Sequence, residues 1–338
     1  MRIPRSIARR LTANLDSVVR AHRPCAGKSF LTVCTTSLSS LGGSRASRLP
    51  LSQRPSPLFL FLGPGLRLAL TAVDPAGALG AELKPETVAA FERYVQVTEA
   101  RIDPELAGPE PFLYLDRQPR PRRDQILETI KGGQVYMQAL ETRGPDRGEI
   151  PIPDGMVHHW YGAIFIPGAT LDQVLKLVQD YDHHHEIYRP EVLGSRLLQR
   201  DGDDFKVYLR LRKKKVITVT LNTEHDVQYH RVDAQRAHSR SHSTRIAEVE
   251  HADQPDEREK PIGHDGGFLW RLDSYWRFEE RDGGVYEESE SVSLTRGIPF
   301  AFNWLIRPFV TGIPRESLRS ALGSTRSAIL ARISHDGT

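Results

Sequence analysis

The fold of this protein is decided by residues 268–294, which read FLWRLDSYWRFEERDGGVYEESESVSL. Two strand-like segments, Phe268–Glu279 and Val285–Leu294, lie on either side of Asp282-Gly283-Gly284. Asp and Gly are typical of tight hairpin turns, because such turns need positive backbone φ angles. The stretch therefore predicts a long antiparallel hairpin.

More strand-like segments precede this hairpin. Every second residue of Phe205–Leu211 is apolar, which indicates a strand with one buried and one wet face. A second turn sequence, Asp201-Gly202-Asp203, lies directly before it. The other predicted strands are His158–Ile166, Val192–Gln199, Val216–Asn222, Val227–Asp233 and Ser241–Val249.

Apolar residues at helical spacing occur before and after these strands. A short helix is predicted after Pro167-Gly168, with one apolar face formed by Leu171, Val174, Leu175 and Val178. A longer helix is predicted after Pro314, with one stripe formed by Leu318, Leu322, Thr325, Ile329 and Ile333. Since the strands offer the only sizeable apolar surface that could cover this stripe, we expect the C-terminal helix to pack on the sheet.

This order of elements resembles the helix-grip fold of the START and SRPBCC superfamily, which includes lipid-transfer domains, plant steroid binders and polyketide cyclase-dehydrase proteins. The matching segments are 159–167 (HWYGAIFIP), 171–175 (LDQVL), 180–182 (DYD), 188–192 (YRPEV) and 289–299 (SESVSLTRGIP). The resemblance implies an α+β fold in which a curved antiparallel sheet wraps around the long C-terminal helix.

Four regions follow from this assignment. Residues 1–57 form an Arg- and Ser-rich extension that is either disordered or upstream of the true start codon. Residues 58–81 form a signal-peptide-like apolar segment. Residues 82–157 are predicted to hold an N-terminal helix beginning near Pro85, followed by Pro-rich connectors, and residues 158–333 form the START-like domain.

The segment Leu58–Val73 reads LFLFLGPGLRLALTAV and is followed by Ala76-Gly77-Ala78. A basic flank, a short apolar run and small residues at a cleavage site are the parts of a secretory signal, which predicts export. The alternatives are a disordered tail with a partly buried apolar segment, which predicts a cytoplasmic protein, and an organellar transit peptide. Both cysteines, Cys25 and Cys34, precede the predicted domain, which therefore has no disulfide framework.

The basic residues are concentrated at the N-terminus. Residues 1–57 contain ten of the 46 basic and one of the 43 acidic residues, leaving 36 basic and 42 acidic residues in 58–338. Because nucleic-acid binding needs a basic face on the folded domain, this mildly acidic body predicts no nucleic-acid partner.

A strongly curved sheet is not filled completely by its own side chains, so we expect an apolar pocket between the sheet and the C-terminal helix. The predicted ligand is a hydrophobic small molecule such as a lipid, a sterol or a polyketide. Ordinary core packing is the alternative for each apolar candidate. The predicted ligand-binding residues are Phe205, Val207, Leu209, Arg210, Phe268, Trp270, Leu272, Tyr275, Trp276, Phe278, Glu290, Arg296, Leu318 and Leu322.

Binding without catalysis is favoured, because no cofactor motif, nucleophile elbow or metal-ligand spacing occurs in the sequence, and neither a cofactor nor a metal is predicted. In the alternative, a cyclase- or dehydratase-like enzyme, Glu290 would transfer protons with the help of Tyr275 or Arg296. A third possibility is an envelope protein whose pocket is filled and which acts through its surface.

A basic run lies near the end of one predicted strand and contains Arg210, Arg212, Lys213, Lys214 and Lys215. Such a run could attract an anionic membrane surface. A solvated strand rim is the alternative, because basic runs are usually hydrated.

Overall fold

The computed structural model describes residues 80–108, 111–215, 217–297 and 303–336, with side chains of the last segment described for 312–335. The predicted extension 1–57 and nearly all of the segment 58–81 lie outside these residues, so both stay predictions. None of the helices described is long and apolar enough to cross a lipid bilayer.

Eleven strands are found in the part of the chain that the structure describes. They are β1 (Ala81–Glu82), β2 (Tyr136–Ala139), β3 (Gly155–Pro167), β4 (Val192–Asp201), β5 (Asp204–Lys214), β6 (Thr218–Arg231), β7 (Arg236–Glu250), β8 (Arg258–Glu259), β9 (His264–Asp265), β10 (Arg271–Arg281) and β11 (Gly284–Arg296). The main antiparallel sheet has the order β2-β3-β11-β10-β7-β6-β5-β4, with β8 beside β7, while β1 pairs with β9.

Five α-helices accompany the sheet in the same part of the chain. They are α1 (Pro85–Ala107), α2 (Arg120–Lys131), α3 (Leu171–Val178), α4 (His184–Ile187) and α5 (Asn303–Asp336), with short 3-10 helices at Tyr114–Arg117 and Tyr181–His183. A capping box between Thr170 and Gln173 begins α3 directly after β3. The predicted α+β helix-grip arrangement is confirmed.

Two boundaries differ from the prediction. Val216–Asn222 and Val227–Asp233 were predicted as separate strands, but β6 is continuous, and a register shift at Glu224/His225 absorbs the break in its pattern. The C-terminal helix begins at Asn303 rather than after Pro314. A proline inside a helix removes one hydrogen bond, and here the helix continues through it.

The main sheet is covered on both faces. We call the face that packs against α3 and α5 the inner face; its apolar residues include Ile164, Phe278 and Val285. We call the opposite face, against α1 and α2, the outer face; its residues include Tyr161, Tyr286 and Val292. The segment before residue 158 therefore packs directly on the sheet as a second layer.

The inner face curves around α5. At one end of the sheet α5 lies on β3, where a Cβ atom added to Gly162 would sit 2.5 Å from Leu322 Cδ1. At the other end, Lys215, just after β5, pairs with Glu316 of α5 at 2.6 Å. Strands five positions apart, as β3 and β5 are, would be about 24 Å apart in a flat sheet. The sheet must therefore bend for one helix to contact both.

The close approach of α5 to Gly162 predicts a measurable coupling. Leu322 is fully buried, so Leu322→Ala should lower the free energy of unfolding by about 2–5 kcal/mol. Gly162→Ala should also destabilise the protein, because its new methyl group collides with Leu322, and it should destabilise the Leu322→Ala background much less. Urea unfolding of the four proteins measures this coupling.

Gly194→Ala on β4 is the matched control, because its added Cβ would lie an ordinary 3.6 Å from Arg210 Cβ. It should cost little in either background. Additive effects of Gly162→Ala and Leu322→Ala would show that α5 does not rest on this glycine.

Candidate ligand-binding site

The hairpin of β10 and β11 determines which side chains reach the inner face. Its two-residue turn, Asp282-Gly283, places Phe278 opposite Glu287, Trp276 opposite Ser289, and Ser274 opposite Ser291. Phe278 is part of the inner apolar cluster. Since side chains alternate along a strand, Glu287, Ser289, Ser291 and Ser293 all lie on the inner face.

A row of half-buried residues crosses the centre of the inner face. Ser241 of β7 pairs with Ser274 of β10, which pairs with Ser291 of β11, which pairs with Trp160 of β3. The Trp276 indole donates to Ser274 Oγ at 3.2 Å and stacks on Phe278. The four residues of the row and their neighbour Trp276 all retain accessible surface. Flanking residues of the same face are buried.

Three deeper polar side chains adjoin this row. Glu287, Ser289 and Ser293 are at most 2% exposed, and neither carboxyl oxygen of Glu287 nor either hydroxyl has a hydrogen-bond partner among the described residues. Buried polar groups in proteins are nearly always paired. We call these residues and the half-buried row the inner chamber: Trp160, Ser241, Ser274, Trp276, Glu287, Ser289, Ser291 and Ser293.

Burial raises the pKa of Glu287 to about 8, so the carboxyl group is neutral at pH 7. Burial also raises the pKa of Tyr188 and Tyr229, and the nearby Glu287 adds to both shifts. The Tyr188 hydroxyl is 3.1 Å from Thr325 Oγ1 of α5, and the Tyr229 hydroxyl is 2.9 Å from that of Tyr181. The walls beside Glu287 are therefore polar and uncharged.

Two buried histidines also belong to the inner face. His158 Nε2 is 3.0 Å from Thr295 Oγ1, and His225 Nε2 is 3.0 Å from Thr223 Oγ1. Burial lowers the pKa of each to about 4. Both rings are therefore neutral at pH 7.

Eight of the predicted ligand-binding residues lie on the inner face or on the side of α5 that packs against it. Five of them, namely Phe205, Val207, Phe278, Leu318 and Leu322, are buried in the apolar cluster. Leu209, Leu272 and Trp276 are half-buried and face inward by alternation along their strands. The chamber therefore has an apolar wall beside its polar residues.

Tyr275 and Glu290 do not reach the chamber, which corrects the prediction. They are paired with each other across β10 and β11, on the outer face beneath α1. Tyr275 donates to Glu99 of α1 at 3.1 Å, and Glu290 accepts from Arg101 of α1 at 2.5 Å and lies 3.2 Å from His159 Nε2. These two residues hold α1 on the sheet.

The ionisation of Glu290 also argues against its predicted role as a proton donor. Burial alone would raise its pKa, but the hydrogen bond with His159 and the charge of Arg101 lower the pKa to about 2. An acid this strong holds no proton at neutral pH. The predicted alternative built on Glu290, Tyr275 and Arg296 is therefore not assembled in the structure.

The remaining predicted ligand residues also lie away from the chamber. Arg210 pairs with Glu257 at 2.7 Å on the outer side of β5. Trp270 belongs to the outer apolar cluster, and its indole donates to Asp265 at 3.0 Å. Arg296 lies over the Phe268 ring, 6.0 Å from its centre, at the end of β11.

The sequence contained a signal for Glu287 that the prediction missed. Counting equal numbers of residues outward from Asp282-Gly283 pairs Phe278 with Glu287. Tyr275 and Trp276 are neighbours on one strand, so they cannot both point inward. Choosing Trp276 and Phe278 as inward residues would have selected Glu287 and rejected Glu290.

The other features singled out in the sequence are engaged in local contacts. Arg212 pairs with Asp253, Lys213 with Glu191 and Lys215 with Glu316. Three consecutive histidines, 183–185, also have local partners. His183 bonds to Asp180, His184 to the Val178 carbonyl and His185 to Ser195. Across the described ranges, no cluster of three metal-ligating side chains is found.

An open groove of about 720 Å³ lies between α4 and the side of α5 opposite Leu322. It is lined by Glu186, Ile187, Ser320, Gly323, Ser324, Ser327, Ala328, Ala331 and Arg332. The gap among Tyr114, Tyr161, Tyr275 and Glu290 on the outer face has no room for a water molecule.

No protein-family model and no curated protein sequence matches this chain. Among solved structures it is similar to a STAR-related lipid transfer protein from Xanthomonas axonopodis, with 16% identity, a TM-score of 0.37, and coverage of 57% of this chain and 98% of that one. It is also similar to the Zhui aromatase/cyclase from a Streptomyces species, with 12% identity, a TM-score of 0.32, and coverage of 53% and 96%.

A START superfamily protein from Mycobacterium smegmatis is similar at 10% identity, with a TM-score of 0.33 and coverage of 52% of this chain and 97% of that one. Likenesses at these scores carry no information about function.

Glu287 and Glu290 lie on opposite faces of β11 and should give opposite pH dependences of stability. The pKa of Glu287 is raised from 4.5 to about 8, so its contribution is full below about pH 4.5 and falls as pH rises towards 8, by about 1.4 kcal/mol per unit. Glu287→Gln should remove this loss, and its stability relative to wild type should rise between about pH 5 and pH 8.

The pKa of Glu290 is lowered from 4.5 to about 2, so its contribution is full above about pH 4.5 and is lost as pH falls towards 2. Glu290→Gln is thus the matched variant and should be destabilised at neutral pH, with a smaller loss on acidification than wild type. Denaturant unfolding across this pH range measures both. Parallel curves for wild type and Glu287→Gln would show that Glu287 is not held neutral.

Proposed function

We propose that this protein binds a hydrophobic small molecule in the inner chamber, between the sheet and α5. The observation that carries the proposal is the accessible surface of Trp160, Trp276 and the serine row in the centre of the inner face, beside the buried Glu287, Ser289 and Ser293. Accessible surface next to buried polar and apolar residues is what a ligand pocket provides. The half-buried Leu209 and Leu272 add apolar contact area.

Binding is supported further by the composition of the chamber. Ligand sites combine mostly apolar walls with a few polar groups that orient the ligand. Here Phe205, Val207 and Phe278 supply apolar wall, while Glu287, Ser289 and Ser293 supply polar groups without partners among the described residues. A lipid, a sterol or a polyketide would each match this combination.

A reaction in the same chamber is a second candidate, supported by Glu287. A carboxyl group that keeps its proton near pH 7 can act as a general acid, and the Tyr188 and Tyr229 hydroxyls lie beside it. A bound molecule that changes mass over time in native mass spectrometry would support catalysis. A bound molecule of constant mass supports carriage.

Contact with an anionic membrane surface is part of the proposal for ligand exchange. Because Arg210, Arg212, Lys213 and Lys215 are paired with carboxylates, the contact would depend on Lys214 and Ile217 at the tip between β5 and β6. Lys214 is exposed and Ile217 is 50% exposed. A basic residue beside an exposed apolar one is a combination that anionic bilayers attract.

Tryptophan fluorescence tests occupancy of the chamber. Bromododecane bound there should quench the emission of Trp160 and Trp276, because bromine quenches indoles at contact distance. Trp276→Phe should reduce the quenched fraction, whereas Trp270→Phe, which changes a tryptophan on the outer face, should increase it.

The protein purified from its natural source should also carry a small molecule in native mass spectrometry. Absence of a bound molecule, together with no quenching by bromododecane, would indicate a filled core and a function exercised through the surface.

Vesicle sedimentation tests the membrane contact. The double variant Lys214→Gln/Ile217→Ser should bind anionic vesicles less than wild type at low salt, and binding to neutral vesicles should stay low for both. Lys176→Gln, an exposed site on α3 beside the other end of the sheet, is the charge-matched control. Equal binding by all three proteins would exclude this tip as the contact.

A further inference from the structure

The position of Glu287 restricts which polar groups a ligand of the inner chamber can carry. This side chain lies near the start of β11, opposite Ile164 of β3 and Phe278 of β10, and it is fully buried. Both of its oxygens, and the hydroxyls of Ser289 and Ser293, lack a hydrogen-bond partner within the described residues. Three side chains of one strand thus offer unpaired donors and acceptors to the chamber.

No cation among the described residues balances Glu287, since burial is the cause of its raised pKa. The titratable groups around it are Tyr188 and Tyr229, with Tyr181 bonded to Tyr229 and His184 packed between Tyr181 and Tyr188. Burial raises the pKa of the three tyrosines and lowers that of His184 to about 4, so all four are neutral at pH 7.

Three of the arginines described on α5 interact with other groups. Arg326 donates to the Phe165 carbonyl at 3.1 Å, and Arg315 lies over the Trp160 ring, 5.8 Å from its centre. Arg332 acts on Tyr188, where it lowers the pKa slightly against the larger effect of burial. A negative charge placed beside Glu287 would therefore be buried without a counter-ion from the described part of the chain.

Burying an uncompensated charge is costly, whereas a neutral hydroxyl or carbonyl loses little if it forms hydrogen bonds. We propose that the inner chamber selects an uncharged ligand bearing a hydroxyl or carbonyl group, which hydrogen-bonds to Glu287 and the neighbouring serines, and rejects the carboxylate of equal length. This inference rests on the proposed function, because it specifies the ligand of the same chamber.

The chemistry of both partners supports this selection. A protonated Glu287 donates one hydrogen bond and accepts others, and each serine hydroxyl does both, which matches an alcohol group. A ligand carboxylate can only accept. When Glu287 ionises above about pH 8, two carboxylates in one buried site would also repel each other.

Displacement of bromododecane by dodecanol and by dodecanoate tests the inference, because the two probes differ only in the head group. Wild type should bind dodecanol at least about tenfold more tightly than dodecanoate near neutral pH, the ratio expected from leaving a buried polar group or charge unpaired. The ratio should grow as pH rises through about 8, because ionised Glu287 repels the carboxylate.

Glu287→Gln keeps the shape and hydrogen-bonding capacity of the side chain but cannot ionise. The ratio near neutral pH should stay close to that of wild type, and it should no longer grow as pH rises through about 8. Glu290→Gln, the same substitution on the outer face of the same strand, should keep the wild-type ratio, with folding checked by circular dichroism.

Equal binding of dodecanol and dodecanoate by wild type, or the same growth of the ratio with pH in Glu287→Gln as in wild type, would overturn the inference while leaving hydrophobic ligand binding in place. Failure of bromododecane and both probes to bind would overturn the proposed function itself. The pH series on wild type requires no variant to fold, so the inference can be rejected even if Glu287→Gln is unstable.

Discussion

Strand β11 carries three glutamates within four residues, and both of its faces are covered, so each carboxyl group must be accommodated inside the protein. On the outer face, Glu288 accepts the backbone N–H groups of Tyr114 and Leu115 and the Tyr161 hydroxyl, at 2.7, 2.9 and 2.6 Å. Glu290 pairs with Arg101 and His159. The position of the N-terminal layer follows from these two acids, since an uncompensated buried charge would be strongly destabilising.

The carboxyl group on the inner side of the same strand, that of Glu287, is accommodated without an ion pair. Glu287 has no protein cation beside it among the described residues, and the protein accommodates it by leaving it protonated. A neutral carboxyl still has hydrogen-bonding capacity, which the side chains and backbone described here leave unused. The buried polar groups of β11 that lack hydrogen-bond partners among the described residues therefore lie on the inner face, where accessible surface also remains. Because both features occur together there, the inner chamber is the best candidate site.

Most of the fold could be predicted from the sequence, because strand alternation and helical stripes depend on the exclusion of apolar residues from water. The stripe of Leu318, Leu322 and Ile329 was placed correctly for that reason. The faces of β10 and β11 were not, because a strand buried on both sides loses the apolar-polar alternation that identifies its inner face. Tyr275 and Glu290 were predicted as pocket residues because no sequence pattern indicated that α1 would cover them.

The same double coverage of β11 fixes the position of Glu287, the carboxyl group that the prediction missed. Successive residues of β11 reach opposite layers, so the backbone that holds Glu288 and Glu290 against the N-terminal layer also fixes Glu287 in the chamber. A shift of one residue in register would exchange the paired and unpaired glutamates and leave Glu290 unmatched among apolar residues. Buried ion pairs add little net stability. Those of the outer face nevertheless determine which carboxyl group lies in the inner chamber and can contact a ligand.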